Sequence, residues 1–274
     1  MEPDLPLEEQ QYLEYEGRKA RHLAKRDAAR EKGEPETWPE RAGIYKEDLT
    51  VGQAETETVN GIKLEGIETI IYKQAMEVLE AKKKDNVGKP VVVLDLGGMY
   101  GLTFLRLAKA TEELVKEGKI VYVVSNLTFN PGIISEDQVK EFPGLNHSDY
   151  NDFFLQNRGL VHFIVSDVDE LGDTQIDLPD GGNLQLGGNI DIIHEQSALG
   201  KSTIPDSDLP TLGKTLSPYG IFFLGDKDPL CTVNPPAFEV GVKNLLQIGV
   251  TELDIGDSGI YRVFVKEKSP RTIN

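Results

Sequence analysis

The stretch VVVLDLGGMYG, Val91 to Gly101, runs from apolar residues through an acid into a glycine turn. Val91, Val92, Val93 and Leu94 form an unbroken β-branched and apolar run, which is the pattern of a strand buried on both faces of a parallel sheet. Gly97, Gly98 and Gly101 permit a sharp turn and a close approach of backbone to ligand. Downstream, Leu102 to Leu114 predicts a helix, with Leu102, Leu105, Leu107, Ala108, Leu114 and Val115 on one stripe. Strand, glycine turn and helix in this order make a nucleotide-type pocket at the helix start. Asp95 modifies that reading. A carboxylate just before the glycines disfavours a pyrophosphate and suits a cationic or amine-bearing ligand.

The spacing separates two possibilities. A dinucleotide fingerprint needs G-x-G-x-x-G, and the register that uses Gly98 and Gly101 puts Leu96 where the first glycine belongs. Read as D-x-G-x-G-x-G, the segment supplies Asp95, Gly97 and Gly101, with Met99 in place of the middle glycine. In this form it resembles the first motif of the class I S-adenosylmethionine-dependent methyltransferases, of which the chain looks like a divergent member.

The order of the later segments extends that resemblance over most of residues 65 to 268. Ile67 to Leu79 predicts an amphipathic helix leading into the first strand. KIVYVV, Lys119 to Val124, reads as a second strand ending at Ser125 and Asn126. LVHFIV, Leu160 to Val165, reads as a third, followed by Ser166, Asp167, Val168 and Asp169. NIDIIH, Asn189 to His194, is the fourth, and LGKTLSPYGIFFLGD, Leu212 to Asp226, gives a helix, a proline-glycine turn and a fifth strand. Tyr219 stands in that turn where the family commonly has a second glycine. Phe238 to Ile248 has helical spacing, and VTELDIGDSGIYRVFVKE reads as two strands around a Gly-Asp-Ser-Gly turn. Strands alternating with helices imply an α/β, doubly wound sheet with its ligand at the carboxyl ends of the strands. The resemblance makes this the Rossmann-like methyltransferase fold, a seven-stranded, mostly parallel sheet with a terminal antiparallel hairpin.

The same resemblance implies S-adenosylmethionine as cofactor and assigns residues to it. Asp95, Gly97, Gly98 and Gly101 would form the cofactor turn. Ser125 and Asn126 occupy the ribose position, where the family has an acid and this chain has an amide. Asp167 would meet the exocyclic amine of adenine, and the backbone of its neighbour Val168 the ring. His194 and Glu195, at the end of the fourth strand, occupy the catalytic position by topology.

Two insertions depart from a minimal fold. Thr128 to Asn157 reads as a loop followed by one helix, and TQIDLPDGGNLQLGG, Thr174 to Gly188, is a hairpin by its alternation. Both are expected to leave loops near the substrate-facing edge.

Composition sets the remaining bounds. The chain has 274 residues and is 39% hydrophobic, enough for one large core plus an appendage. Residues 1–50 read as a helical amino-terminal extension and 51–274 as the methyltransferase-like domain. Cys231 is the single cysteine, which gives no disulfide framework. There is no bilayer-length apolar run, and the acidic start does not read as a signal peptide, so a cytoplasmic protein without membrane contact is expected. A formal charge of −17 argues against broad contact with nucleic acid and favours a small-molecule or protein acceptor. Against that stands one basic run, which includes Arg18, Lys19, Arg21, Lys25, Arg26 and Arg30. A solvated helix explains it, and an RNA-docking arm is the alternative. The four histidines are scattered, so no metal site is expected.

Methyl transfer is a displacement that alignment can largely accelerate, with a base needed only when the acceptor must lose a proton. Glu195 or His194 is the candidate base, and strand capping and loop ordering are the structural alternatives for the same two residues. A non-catalytic protein that keeps this fold as a binding scaffold is the competing function, motivated by Met99, Asn126 and Tyr219. Asn234-Pro235-Pro236 follows the fifth strand and lacks an aromatic at Ala237, so a rigid turn before a helix explains it. Oligomeric state is left open by the sequence.

Overall fold

The computed structural model describes residues 56–98, 101–126, 147–166, 168–195, 209–225, 235–253 and 261–269. The expected amino-terminal extension, with its basic run, lies outside these residues. So do Met99, Tyr100 and Asp167.

The described chain opens with a hairpin, β1 (Thr56–Val59) and β2 (Ile62–Glu65), which the apolar pattern alone does not announce. Its turn is Asn60-Gly61, with φ of 49° and 80°. Two consecutive positive φ values are what a two-residue hairpin loop demands and what Asn-Gly supplies at least cost. Helix α1 (Ile67–Lys84) follows, longer than its apolar stripe suggested because Lys82, Lys83 and Lys84 extend it with charges suited to a helix carboxyl end. Then come β3 (Val91–Leu96), α2 (Leu102–Ala110), α3 (Glu112–Lys116) and β4 (Ile120–Asn126). The single helix expected over Leu102 to Leu114 is broken at Thr111, whose hydroxyl donates to the Leu107 carbonyl at 2.9 Å and so competes with the helical ladder.

Next are α4 (His147–Asn157), a 3₁₀ turn over Arg158–Leu160, β5 (Val161–Val165) and a one-turn helix α5 (Val168–Leu171). The predicted insertion hairpin is present as β6 (Gln175–Asp177) and β7 (Asn183–Gln185). The chain finishes with β8 (Ile190–Glu195), α6 (Leu209–Thr215), β9 (Leu216–Gly225), α7 (Pro235–Gln247), β10 (Thr251–Leu253) and β11 (Tyr261–Val265).

Seven of the described strands form one sheet in the order β10-β11-β9-β8-β3-β4-β5. The pairs β9-β8, β8-β3, β3-β4 and β4-β5 are parallel, whereas β11 runs antiparallel between β9 and β10. This is the expected doubly wound sheet of the Rossmann-like methyltransferase fold, with its terminal antiparallel hairpin. All residues of β3, β4 and β8 are buried, which is why these strands read as continuous apolar runs.

The alternation of strand side chains divides the core in two. One face carries Val91, Val93, Tyr122, Val124, Ile192 and Phe223, covered by Ile71, Ala75 and Val78 of α1, Phe104 and Leu107 of α2, and Tyr150 and Phe154 of α4. The other carries Val92, Leu94, Val123, Ile193 and Phe222. It is covered by Val168 and Leu171 of α5, Leu209 and Leu212 of α6, Leu245 of α7, and Ile176 and Leu184 of the insertion hairpin.

That hairpin corrects one expectation. Pro179 in its turn packs beside Gly118, just ahead of the start of β4, with ring carbons 3.7 and 3.9 Å from where a Gly118 Cβ would stand. The turn therefore lies at the amino edge of the sheet, away from the ligand edge. Ile176 and Leu184 are drawn into the core there, and that burial fixes its course.

Candidate functional site

The carboxyl edge of the sheet is built around the end of β3. Asp95 sits opposite Val124 of β4 on one side and opposite His194 of β8 on the other. After Leu96 the chain turns through Gly97, whose φ is 71° and whose N–H donates to the Ser125 carbonyl at 2.8 Å. The Gly101 N–H then donates to the Gly98 carbonyl at 2.8 Å, and the Leu105 N–H to the Gly101 carbonyl at 2.8 Å, which starts α2. Gly101 needs its missing side chain twice over. Its φ is 66°, and a Cβ there would stand 2.7 Å from Cε1 of Phe163.

Gly98 is held closer still. A Cβ on it would lie 2.1 Å from Oδ2 of Asp95 and 2.5 Å from Cγ. One carboxylate oxygen of Asp95 thus packs against the glycine turn, while the other, Oδ1, lies 2.8 Å from Nδ1 of His194. Since a carboxylate only accepts, this contact selects the imidazole tautomer with its proton on Nδ1 and the lone pair on Nε2. The side chains of the pair are 7% and 5% exposed, so the interaction is made in a largely dehydrated setting. The His194 ring also stacks on Phe104, at 6.5 Å between centroids and 30° between planes.

The two candidate catalytic residues do not converge. His194 shares its face with Asp95, Val124 and Phe223, its neighbours in register. Glu195 is opposite Leu96 and Leu224, on the other face, and is fully buried. Consecutive strand residues point to opposite sides, so a pair adjacent in sequence cannot both line one side of the sheet. Of the ribose candidates, Asn126 is on the Asp95 side and Ser125, opposite Ile164, is on the Glu195 side. Both are buried. Val168 places its side chain in the second core, leaving only its backbone for a ligand. Asp167 is outside the described residues.

The departure at Tyr219 proves remote from this edge. Between Ile190 and Ile192 the register of β8 against β9 jumps from Leu216 to Ile221, so Tyr219 lies in a bulge at the amino half of β9. Its hydroxyl donates to Oδ2 of Asp85 at 2.6 Å, just past the end of α1. The same edge holds a buried ion pair that sequence reading missed. Nζ of Lys82 donates to Oδ2 of Asp191 at 2.6 Å and to the Pro90 carbonyl at 2.7 Å. Asp191 also accepts from the Val92 N–H at 2.8 Å and the Ser217 hydroxyl at 2.5 Å. The one signal for it is polar: a lysine on the apolar stripe of α1 and an aspartate inside an otherwise apolar strand.

No group of three or more His, Cys, Asp or Glu among the described residues is arranged to hold a metal ion. No described helix is long and apolar enough to cross a membrane.

No family model matches the chain, and no curated protein does. Among solved structures it is similar to the citrinin polyketide synthase CMeT domain, at 16% identity and a TM-score of 0.39, over 73% of this chain and 53% of that one. A SAM-dependent methyltransferase from Aquifex aeolicus is similar at 16% identity and a TM-score of 0.36, over 71% of this chain and 96% of that one. The 1,6-didemethyltoxoflavin-N1-methyltransferase of Burkholderia thailandensis, solved with 1,6-didemethyltoxoflavin and S-adenosylhomocysteine, is similar at 16% identity and a TM-score of 0.33, over 82% of this chain and 87% of that one. The chain spans about half the length of the polyketide synthase domain it matches.

Proposed function

We propose that the chain is a methyltransferase that moves a methyl group from S-adenosylmethionine to a small molecule or a protein side chain. The observation that carries this reading is the sheet itself: five parallel strands closed by an antiparallel β11, with the acid-glycine turn of Asp95, Gly97, Gly98 and Gly101 at the carboxyl edge of its central strand. The residues fit the cofactor in kind. Gly97 and Gly101 adopt backbone that favours glycine, Gly98 leaves its backbone bare, and Asp95 offers a negative charge to a sulfonium and an ammonium group.

In this reading Asp95 and the glycine turn hold the amino-acid end of the cofactor. Ser125 and Asn126 take the ribose, and Asp167 with the Val168 backbone takes the adenine. When bound, S-adenosylmethionine supplies an electrophilic methyl carbon. The chain's own part is to align an acceptor with that carbon and to accept a proton where the acceptor has one to lose. Of the two candidate bases, His194 has the arrangement the role requires, because Asp95 fixes its tautomer. Glu195, on the opposite face, serves an acceptor only if that acceptor enters from that side.

One observation favours a second reading, a non-catalytic scaffold. Asn126 brings a neutral amide where an acid would grip the ribose hydroxyls. Of the other two motives for that reading, Met99 lies outside the described residues, and Tyr219 loses its force because it sits at the far edge of the sheet. Calorimetric titration of the purified chain with S-adenosylmethionine and S-adenosylhomocysteine, beside Asp167→Ala, tests the proposal. Saturable binding that weakens in the variant supports methyl transfer and justifies a screen of acceptors. No heat with either ligand gives the scaffold reading the lead.

A further inference from the structure

We infer that the outer edge of β5 is a docking surface for a second copy of the chain, with the two β5 strands antiparallel about a two-fold axis. The inference goes beyond the methyltransferase reading and does not depend on it.

The two edges of the sheet are built differently. At one end, β10 is short and carries Glu252, which Arg262 of the neighbouring β11 holds at 2.7 Å. A short strand with a charge on it is a guarded edge. At the other end, β5 reads VHFIV, with no lysine, acid or proline, and its register against β4 runs without a bulge. Among the described residues nothing pairs with its outer side. The Ser166 N–H donates to the Asn126 carbonyl, so the even-numbered residues here turn their backbone groups toward β4. Val161, Phe163 and Val165 therefore turn theirs outward, where such N–H and C=O groups are a template for another strand.

A second copy matches this edge in charge and in apolar surface. In a two-fold pairing centred on Phe163, Val161 of one copy stands opposite Val165 of the other, and every outward backbone group of the strand is used. Arg158, exposed just before β5, is the last lysine or arginine until Lys201, while Asp169 and Glu170 are exposed just after the strand. Among the described residues none of these three has an ion-pair partner. An antiparallel partner brings its Asp169 and Glu170 to this Arg158, and the same contact repeats across the axis. A parallel partner would set Arg158 against Arg158 and acids against acids. Val165, 50% exposed, is on the face that α4 covers, and Leu155 of α4 is 46% exposed. Antiparallel pairing carries Val165 to the partner's end where α4 finishes and β5 begins, which is where Leu155 lies. The formal charge of −17 repels two copies at long range, but β5 carries none of it, so a weak and reversible dimer is expected.

The test is sedimentation velocity of the full chain at about 1 to 100 μM, the range in which an interface of modest area associates. The wild type is expected to show a reversible dimer. Three variants are compared with it: Val165→Lys, Arg158→Glu, and Asp169→Lys combined with Glu170→Lys. All four side chains are exposed, so the fold is kept. Each variant is expected to weaken the dimer at least about tenfold, the first by adding a natural edge guard and the other two by setting like charges together. Mixing the Arg158→Glu chain with the chain carrying both lysines then restores a dimer, because both contacts of the mixed pair join opposite charges. A wild type that stays monomeric throughout overturns the inference, and this arm needs no variant. A dimer that any of the three variants leaves intact places the interface elsewhere and overturns it as well. So does a mixture that stays monomeric. None of these arms contains S-adenosylmethionine, so their outcome is separate from that of the methyl-donor reading.

Discussion

Asp95 and His194 stand 99 residues apart in the chain and 2.8 Å apart in the structure, brought together as register partners on adjacent parallel strands. Each is buried, so their contact is made where water barely reaches. Asp95→Ala removes the acceptor from a buried imidazole and is expected to lower stability by about 1–3 kcal/mol. Truncating both residues costs less than the sum of the single changes. A double-mutant cycle by denaturant unfolding reads this coupling, and strictly additive losses would show that the contact contributes nothing.

Gly98→Ala attacks the same pair without touching either member. The new methyl group would stand 2.1 Å from Oδ2 of Asp95, a distance no real contact tolerates, so the carboxylate must rotate away. Because its other oxygen is on His194, that rotation breaks the dyad. The substitution is therefore expected to reproduce the stability loss of Asp95→Ala, to add little when combined with it, and to weaken binding of S-adenosylmethionine. A Gly98→Ala protein that binds S-adenosylmethionine as the wild type does would mean that the Asp95 rotamer is immaterial to the site.

At the opposite edge the buried pair of Lys82 and Asp191 makes a harsher prediction. Burial draws the Lys82 ammonium down and pushes the Asp191 carboxyl up, while their 2.6 Å contact and two further donors to Asp191 oppose those shifts. Lys82→Met strands a buried carboxylate and is expected to destabilise by about 3–5 kcal/mol, whereas replacing both partners by apolar residues of similar volume recovers most of the loss. Comparing urea midpoints of the single and double variants decides the matter. Equal losses in the two would mean that the lysine matters for its packing and not for its charge.

These residues also mark where sequence reading succeeds and stops. The buried parallel strands were legible because burial on both faces writes an apolar run, as in Val91 to Leu94 and Ile120 to Val124. The glycine turn was legible because its backbone needs glycine. What stayed hidden depended on partners far away in the chain. Nothing local links Lys82 to Asp191, 109 residues on. Two further signals are local. Asn60-Gly61 marks a hairpin by itself, and strand alternation through β8 already separates His194 from Glu195 onto different faces.

His162 gives the chain a pH dependence with a definite sign. Burial lowers its imidazole below the ordinary value of 6.5, and the charge of Asp177 only partly offsets this. Below 6.5 the unfolded chain takes up a proton that the folded chain refuses, so this residue makes stability fall as pH drops from about 6.5 toward its lower folded value. Above 6.5 both states are neutral and the effect vanishes. His162→Gln is expected to flatten the stability profile between pH 5 and 6.5, where one such group can contribute a slope of at most about 1.4 kcal/mol per pH unit. Thermal or urea unfolding across that range would reject the assignment if both proteins showed the same slope.

Asn126 offers the sharpest test of where a cofactor ribose would lie. It ends β4 on the Asp95 side of the sheet, buried, with its carbonyl accepting from the Ser166 N–H at 3.2 Å. Asn126→Asp introduces the acid that the methyltransferase resemblance would place here. With no ligand bound, a second carboxylate near Asp95 is unfavourable, so the unliganded variant is expected to unfold at lower denaturant than the wild type. With ligand bound, the carboxylate accepts from ribose hydroxyls, and a hydrogen bond to a charged group is worth about 1.5 kcal/mol or more, which is about tenfold in affinity. The variant should therefore bind both S-adenosylmethionine and S-adenosylhomocysteine more tightly, by similar factors, because both carry the same ribose. Tighter binding of only one of them would place the new charge near sulfur instead, and unchanged binding of both would move the ribose away from the end of β4.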